Sequence, residues 1–180
     1  GSAGGGVSLV GGTASTGTGG AVSLSSGTGT ASTSGSLKIK SNDAGVSGVS
    51  GALMFESGTT SNGASGTISI STGEAKAFGV AGAIIMTAGS TTTGIGGFVN
   101  IAAALSSSAT GGAVSITSGG SRLQKSGNVE IASGSGSDSG SVNLVTGEAL
   151  QSSGNMQFKS GDAVEGTSGS LALQVGTSQD

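Results

Sequence analysis

Cysteine, histidine, proline, tryptophan and tyrosine are all absent from this chain. Without cysteine there is no disulfide framework and no thiol chemistry. Without histidine as well, the commonest general bases and nucleophiles are missing, so the abundant serines have no triad partner and read as corner and surface residues. Charge is scarce: 8% of residues are charged, with a formal net charge of −3. No basic stripe exists, and phosphate-driven nucleic-acid binding is not expected. The longest apolar stretch, around Ala81 to Ala88, is far too short to span a bilayer. No basic-then-apolar leader opens the sequence, and no Asn-x-Ser/Thr sequon calls for N-glycosylation.

What is present is glycine, 39 of 180 residues, with serine and threonine between. Such a composition usually marks a flexible linker. Two features oppose that reading. Disordered chains are low in hydrophobicity and rich in charge and proline, whereas here mean hydropathy is +0.20 and proline is absent. The large apolar residues are also periodic. Twelve dyads recur, each flanking one variable residue: Val7/Leu9, Val22/Leu24, Leu37/Ile39, Leu53/Phe55, Ile68/Ile70, Ile84/Met86, Val99/Ile101, Val114/Ile116, Val129/Ile131, Val142/Leu144, Met156/Phe158 and Leu171/Leu173. Their starts lie 13 to 16 residues apart. One dyad per fixed period is the signature of a solenoid.

The unit reads h-x-h-x-s-G, then small polar residues, then G-s. Alternation within the dyad is the period of a strand with one buried face. The s position is small, as at Ser26, Ser41, Ser57, Thr72, Ala88 and Ala103, and the next residue is Gly in ten of twelve units, with Asn42 and Ala104 the exceptions. A second Gly closes every complete unit. Corner glycines such as Gly27, Gly35, Gly58, Gly66, Gly73, Gly82, Gly119 and Gly127 point to positive φ or close backbone approach. Ala104 does not fit such a corner. Two corners per period predict an all-β, single-domain β-solenoid over 1–180: about twelve turns of ~15 residues, stacked in parallel, two short strands per turn. The second strand is expected near 30–33 and 76–80. Val22, Leu24, Leu37, Ile39, Leu53, Phe55, Ile68, Ile70, Val99, Ile101, Val114 and Ile116 would stack as its core. Residues 1–6 read as the tail of an earlier unit, or Gly1-Ser2 as a cloning remnant, so the chain is expected to be a segment of a longer array or a subunit that stacks on itself.

Candidate chemistry is thin, and no catalytic residue, cofactor or metal site is assigned. The acids, Asp43, Glu56, Glu74, Glu130, Asp138, Glu148, Asp162, Glu165 and Asp180, are spread over eight or more turns. A carbohydrate-cleaving or carbohydrate-binding β-helix needs them clustered, so this is the third reading. Lys40 and Glu56 share a repeat position in neighbouring turns and are expected about 5 Å apart as a surface ion pair. Arg122 and Lys125 form the only local basic cluster. The stretch Gly134-Ser135-Gly136-Ser137-Asp138 is similar to a calcium-binding nonapeptide, but its Asp occurs once, in the shortest unit, and reads as a deletion. Ice binding is the second reading. Thr16, Thr18, Thr33, Thr93 and Thr110 would line its face on the second strand, until Lys125 and Asp138 break the series.

The units Gly20-Ala21-Val22-Ser23-Leu24-Ser25-Ser26-Gly27-Thr28-Gly29 and Gly112-Ala113-Val114-Ser115-Ile116-Thr117-Ser118-Gly119-Gly120 resemble the Gly/Ser/Thr-rich β-solenoid repeats of secreted, surface-associated proteins of diatoms and related algae. Repeats of bacterial adhesins and phage fibres are similar, so the source stays open. The algal resemblance covers nearly the whole chain. It implies an extracellular or cell-surface structural role and transfers no catalytic residue. The leading expectation is therefore a non-enzymatic rod or filament, a cell-wall or adhesive element. It would self-associate end to end or laterally and meet extracellular polysaccharide, with no nucleic-acid partner and no membrane span.

Overall fold

An apolar dyad flanked by glycine every 15 residues fixes where the chain is straight and where it bends, and both are visible in the computed structural model, which describes residues 3–76 and 78–178. From each closing Gly to the next opening position the count is seven in every repeat, as in 20–27, 35–42 and 112–119. These arms carry the dyads and contain no bend or turn. All variation in repeat length lies in the loops between arms, whose ends are six to nine residues apart. Each loop bends at its tip: at 15–17, 30–32, 46–48, 61–63, 92–94, 107–109, 122–124, 136–138, 150–151 and 164–166, with a turn at Phe78.

No helix and no strand occurs among the described residues, so the chain is not the all-β solenoid that its periodicity predicts. The second strand expected at 30–33 is a bend at 30–32, and that at 76–80 holds the turn at Phe78; its Ala77 lies outside the described residues, as do Gly1, Ser2 and Asp180. A strand exists through its pairing, and the arms find no backbone partner within the chain. The loops that were to form a second sheet are Gly/Ser/Thr-rich, and such residues bend readily through local hydrogen bonds while burying little.

The expected dry core is likewise missing. No side chain is buried among the described residues. Val22, Leu24, Leu37, Ile39, Leu53, Phe55, Ile68, Ile70, Val99, Ile101, Val114 and Ile116 are all exposed, from 51% at Ile39 and Leu53 to 73% at Ile70. The chain offers 17,979 Å² to solvent, whereas a folded monomer of its mass exposes about 7,500 Å² and a fully unfolded one about 24,000 Å². Alternating apolar residues define a face, but none of the described residues covers it.

What order there is resides in the necks. The closing Gly donates its N–H to the carbonyl of the opening residue in five loops: Gly20 to Gly12 (2.7 Å), Gly35 to Gly27 (2.9 Å), Gly97 to Gly89 (3.0 Å), Gly112 to Ala104 (2.9 Å) and Gly127 to Gly119 (2.9 Å). Each spans eight residues, making a small Ω-like loop whose ends meet. Loops of six, seven or nine residues show no such bond among the described residues. The two loops without it whose ends are also eight residues apart, 58–66 and 161–169, are those whose bends end in left-handed glycines, Gly63 (φ 122°) and Gly166 (φ 97°).

The two corner glycines are not equivalent. A Cβ on the closing Gly would crowd the s residue before the loop at two corners, 3.1 Å from Ala88 Cβ at Gly97 and 3.1 Å from Ala103 Cβ at Gly112, and would meet it in ordinary contact at others, as at 3.4 Å from Ser26 Cβ at Gly35 and 3.6 Å from Ser57 Cβ at Gly66. A Cβ at the opening Gly27, Gly58, Gly73 or Gly119 would meet open space. Close approach therefore holds for the closing corner alone, and positive φ occurs at loop tips rather than corners. This explains Ala104: its position demands only a carbonyl, and the neck bond from Gly112 is intact. Five residues at the s position, Gly11, Ser41, Ala88, Ser118 and Ser160, are among the few that are only partly exposed, whereas Ser26, Ser57, Thr72 and Ala103 are exposed. Ser26 Oγ adds a bond to the Gly35 carbonyl at 2.8 Å.

The chain divides into two units, Gly1–Met86 and Thr87–Asp180. The first holds the necks at Gly12/Gly20 and Gly27/Gly35, the second those at Gly89/Gly97, Ala104/Gly112 and Gly119/Gly127. In the second unit three successive loops share a further device. Thr91, Ser106 and Ser121 each stand two residues after the opening position, and their hydroxyls accept from the N–H three residues on: Gly94 (3.1 Å), Ala109 (3.0 Å) and Gln124 (2.9 Å). In the first unit that position is Gly29 in the 27–35 loop, where a Cβ would lie 2.5 Å from the carbonyl oxygens of Ser32 and Thr33. Ser121→Ala should raise amide exchange at Gln124 by about two- to tenfold, the worth of one exposed hydrogen bond, and leave Ala109 unchanged. Exchange measured by NMR checks it.

Candidate functional site

The residues that sequence reasoning singled out for chemistry are not brought together. Among the described residues there is no pocket and no group of three His, Cys, Asp or Glu side chains placed to hold a metal. Lys40 and Glu56 do not form the expected ion pair. The one ion pair among the described residues is local, Lys159 Nζ to Asp162 Oδ2 at 2.9 Å, tying the end of an arm to the start of its loop. Lys40 and Glu56 remain exposed on separate arms, because the arms do not pair at strand spacing. Asp138 ends the tight bend at 136–138, where a Cβ on Gly136 would come 3.1 Å from the Asp138 carbonyl oxygen. It is one carboxylate on a shortened loop, without a repeated neighbour. Arg122 lies in the bend at 122–124, and Lys125 follows it.

The threonines proposed for an ice face all sit on loops. Thr16 and Thr93 lie within bends, and Thr18, Thr33 and Thr110 follow one. They are exposed, but the strand that was to align them into a flat face is absent.

The large apolar residues concentrate on the arms. The dyads from Val22/Leu24 to Met156/Phe158 are exposed, though less than the apolar residues of the loops: Val22 is 53% and Val142 48% exposed, against 105% for Phe78 and 106% for Leu150. A Cβ on Gly11 would lie 3.6 Å from Val22 Cγ2, so this first dyad residue rests against the preceding neck. Arm backbone groups between the corners take part in no backbone–backbone bond among the described residues. An unpaired backbone with one apolar face and few charges is a template for a further strand. The periodicity exposed the dyads, but the invariant spacing of seven between the ends of each arm and the hydroxyl at Thr91, Ser106 and Ser121 also leave a signal in spacing alone, once positions are counted from the opening corner. No protein family, curated protein or solved structure matches this chain. No helix among the described residues is long and apolar enough to cross a membrane.

Proposed function

We propose that the chain is a non-enzymatic structural protein of the extracellular space or cell surface, a filament, wall or adhesive element that works by self-association. The observation that carries this reading is the repeated, uncovered apolar arm. A chain with 17,979 Å² of accessible surface and every dyad in water has not met its need for burial, and apolar patches beyond a few hundred Å² mark interaction sites. With 8% charged residues and a net charge of −3, copies repel one another weakly. The Ser/Thr-rich loops present hydroxyls to whatever surrounds the assembly, the chemistry that a polysaccharide matrix would meet.

Sedimentation and electron microscopy test it. The full chain should form elongated assemblies above a critical concentration, and ammonium sulfate should lower that concentration, because excluded salts strengthen apolar burial. A monodisperse monomer at all concentrations and salts would overturn the reading.

A further inference from the structure

We propose that copies of this chain dock arm on arm in parallel, displaced by one repeat, so that Lys40 of one copy faces Glu56 of the next; this rests on the self-association reading above. The chain exposes roughly 10,000 Å² more than a folded monomer of its size, whereas a stable interface needs only about 1,600 Å². A second copy is the occupant that fits, since it carries arms of the same length and apolar pattern, and the loops between them, whose ends are six to nine residues apart, take up the differences in repeat length.

Charge then selects the register. In the unit Gly1–Met86 the arm 35–42 carries Lys38 and Lys40, and the arm 51–58 carries Glu56. Lys40 and Glu56 occupy the same position in their arms, the residue after the dyad, and both are exposed. Docking with no displacement sets Lys38 against Lys38, Lys40 against Lys40 and Glu56 against Glu56. Like charges directly opposite are destabilising and opposite charges stabilising. Displacement by one repeat removes all three clashes and creates Lys40–Glu56. Displacement by two sets the lysines against Ser69 and Ser71, with no attraction. Antiparallel docking with dyads opposed sets Lys40 against Ala52, so it does not make the pair. A one-repeat step is heterologous and leaves a free arm edge after each addition, which gives open growth rather than a closed dimer.

The absence of cysteine makes the register directly readable. Ser8 and Ser23 hold the same position, between the dyad residues, in neighbouring arms. Paired strands about 4.8 Å apart are within disulfide reach. Full-length S8C and S23C chains, assembled together and oxidised, should give the mixed disulfide, and neither should cross-link with itself. In parallel, K40E and E56K should each raise the critical concentration about two- to fivefold, and the double exchange should restore it. Self-cross-linking of each single variant would establish the undisplaced register and overturn the proposal. So would assemblies that form normally yet give no S8C–S23C disulfide, or charge variants whose effects simply add. Failure of the unaltered chain to assemble would instead sink the self-association reading, and this proposal with it.

Discussion

Replacing both dyad residues of one arm, Ile68→Asp and Ile70→Asp together, should raise the critical concentration for assembly by about two orders of magnitude or more. Each isoleucine buried at an interface contributes about 1.5–3 kcal/mol, and an aspartate there adds the cost of desolvating a charge. Losing ~3 kcal/mol or more corresponds to at least a hundredfold. The same exchange should barely change the isolated chain, because Ile68 and Ile70 are already 53% and 73% exposed in it. That contrast separates an interface from a core. A core substitution would unfold the monomer, whereas this one should leave monomer exchange rates and neck bonds as they were. Analytical ultracentrifugation of both proteins over a concentration series reads the difference.

The neck should respond sharply to a change at the closing corner and hardly at all at the opening one. In Gly112→Val the new Cβ would stand 3.1 Å from Ala103 Cβ and 3.2 Å from the Ala104 nitrogen, and the two further methyls must find room on a backbone neighbour that cannot turn aside. Overpacking of this kind costs about 1–3 kcal/mol, comparable with or above the worth of the Gly112–Ala104 bond it strains. Protection of the Gly112 amide should therefore fall by about tenfold or more. Gly119→Ala should leave protection of the Gly127 amide within about twofold, since a Cβ at Gly119 meets nothing within 4 Å and Ala104 already fills the equivalent place. Equal losses in both variants would contradict the asymmetry.

Much of this organisation can be read from the residues, and the remainder cannot for identifiable reasons. The dyads Val22/Leu24 and Leu37/Ile39 lie on bend-free arms, not on the strands that their alternation predicts, and a Cβ at the closing corners Gly35 and Gly66 would be in ordinary contact with Ser26 and Ser57. Glycine looks the same whether a Cβ would clash or meet open space, so Gly27 and Gly35 are indistinguishable by type; Ala104 in place of glycine was the clue that one of the two is permissive. The loop 27–35 contains Thr30 and Thr33, good strand formers, yet its backbone folds so closely on Gly29 that a bend results. Alternation shows that Ile68 and Ile70 share a face. It is silent on what covers that face, because burial depends on neighbours that a periodic pattern leaves unspecified. The sequence also places Lys40 and Glu56 at one repeat position, which constrains their pairing without saying whether the partner lies in the same chain.

Arms that are unpaired in the single chain should become paired strands only when copies meet. Infrared amide I or far-ultraviolet circular dichroism, followed from a dilution at which sedimentation shows a monomer up to the assembled state, tests this most directly. Almost no sheet signal is expected in the dilute monomer, and a sheet signal that rises in step with assembly. A monomer with full sheet signal at every dilution, and protected amides throughout its arms, would contradict it.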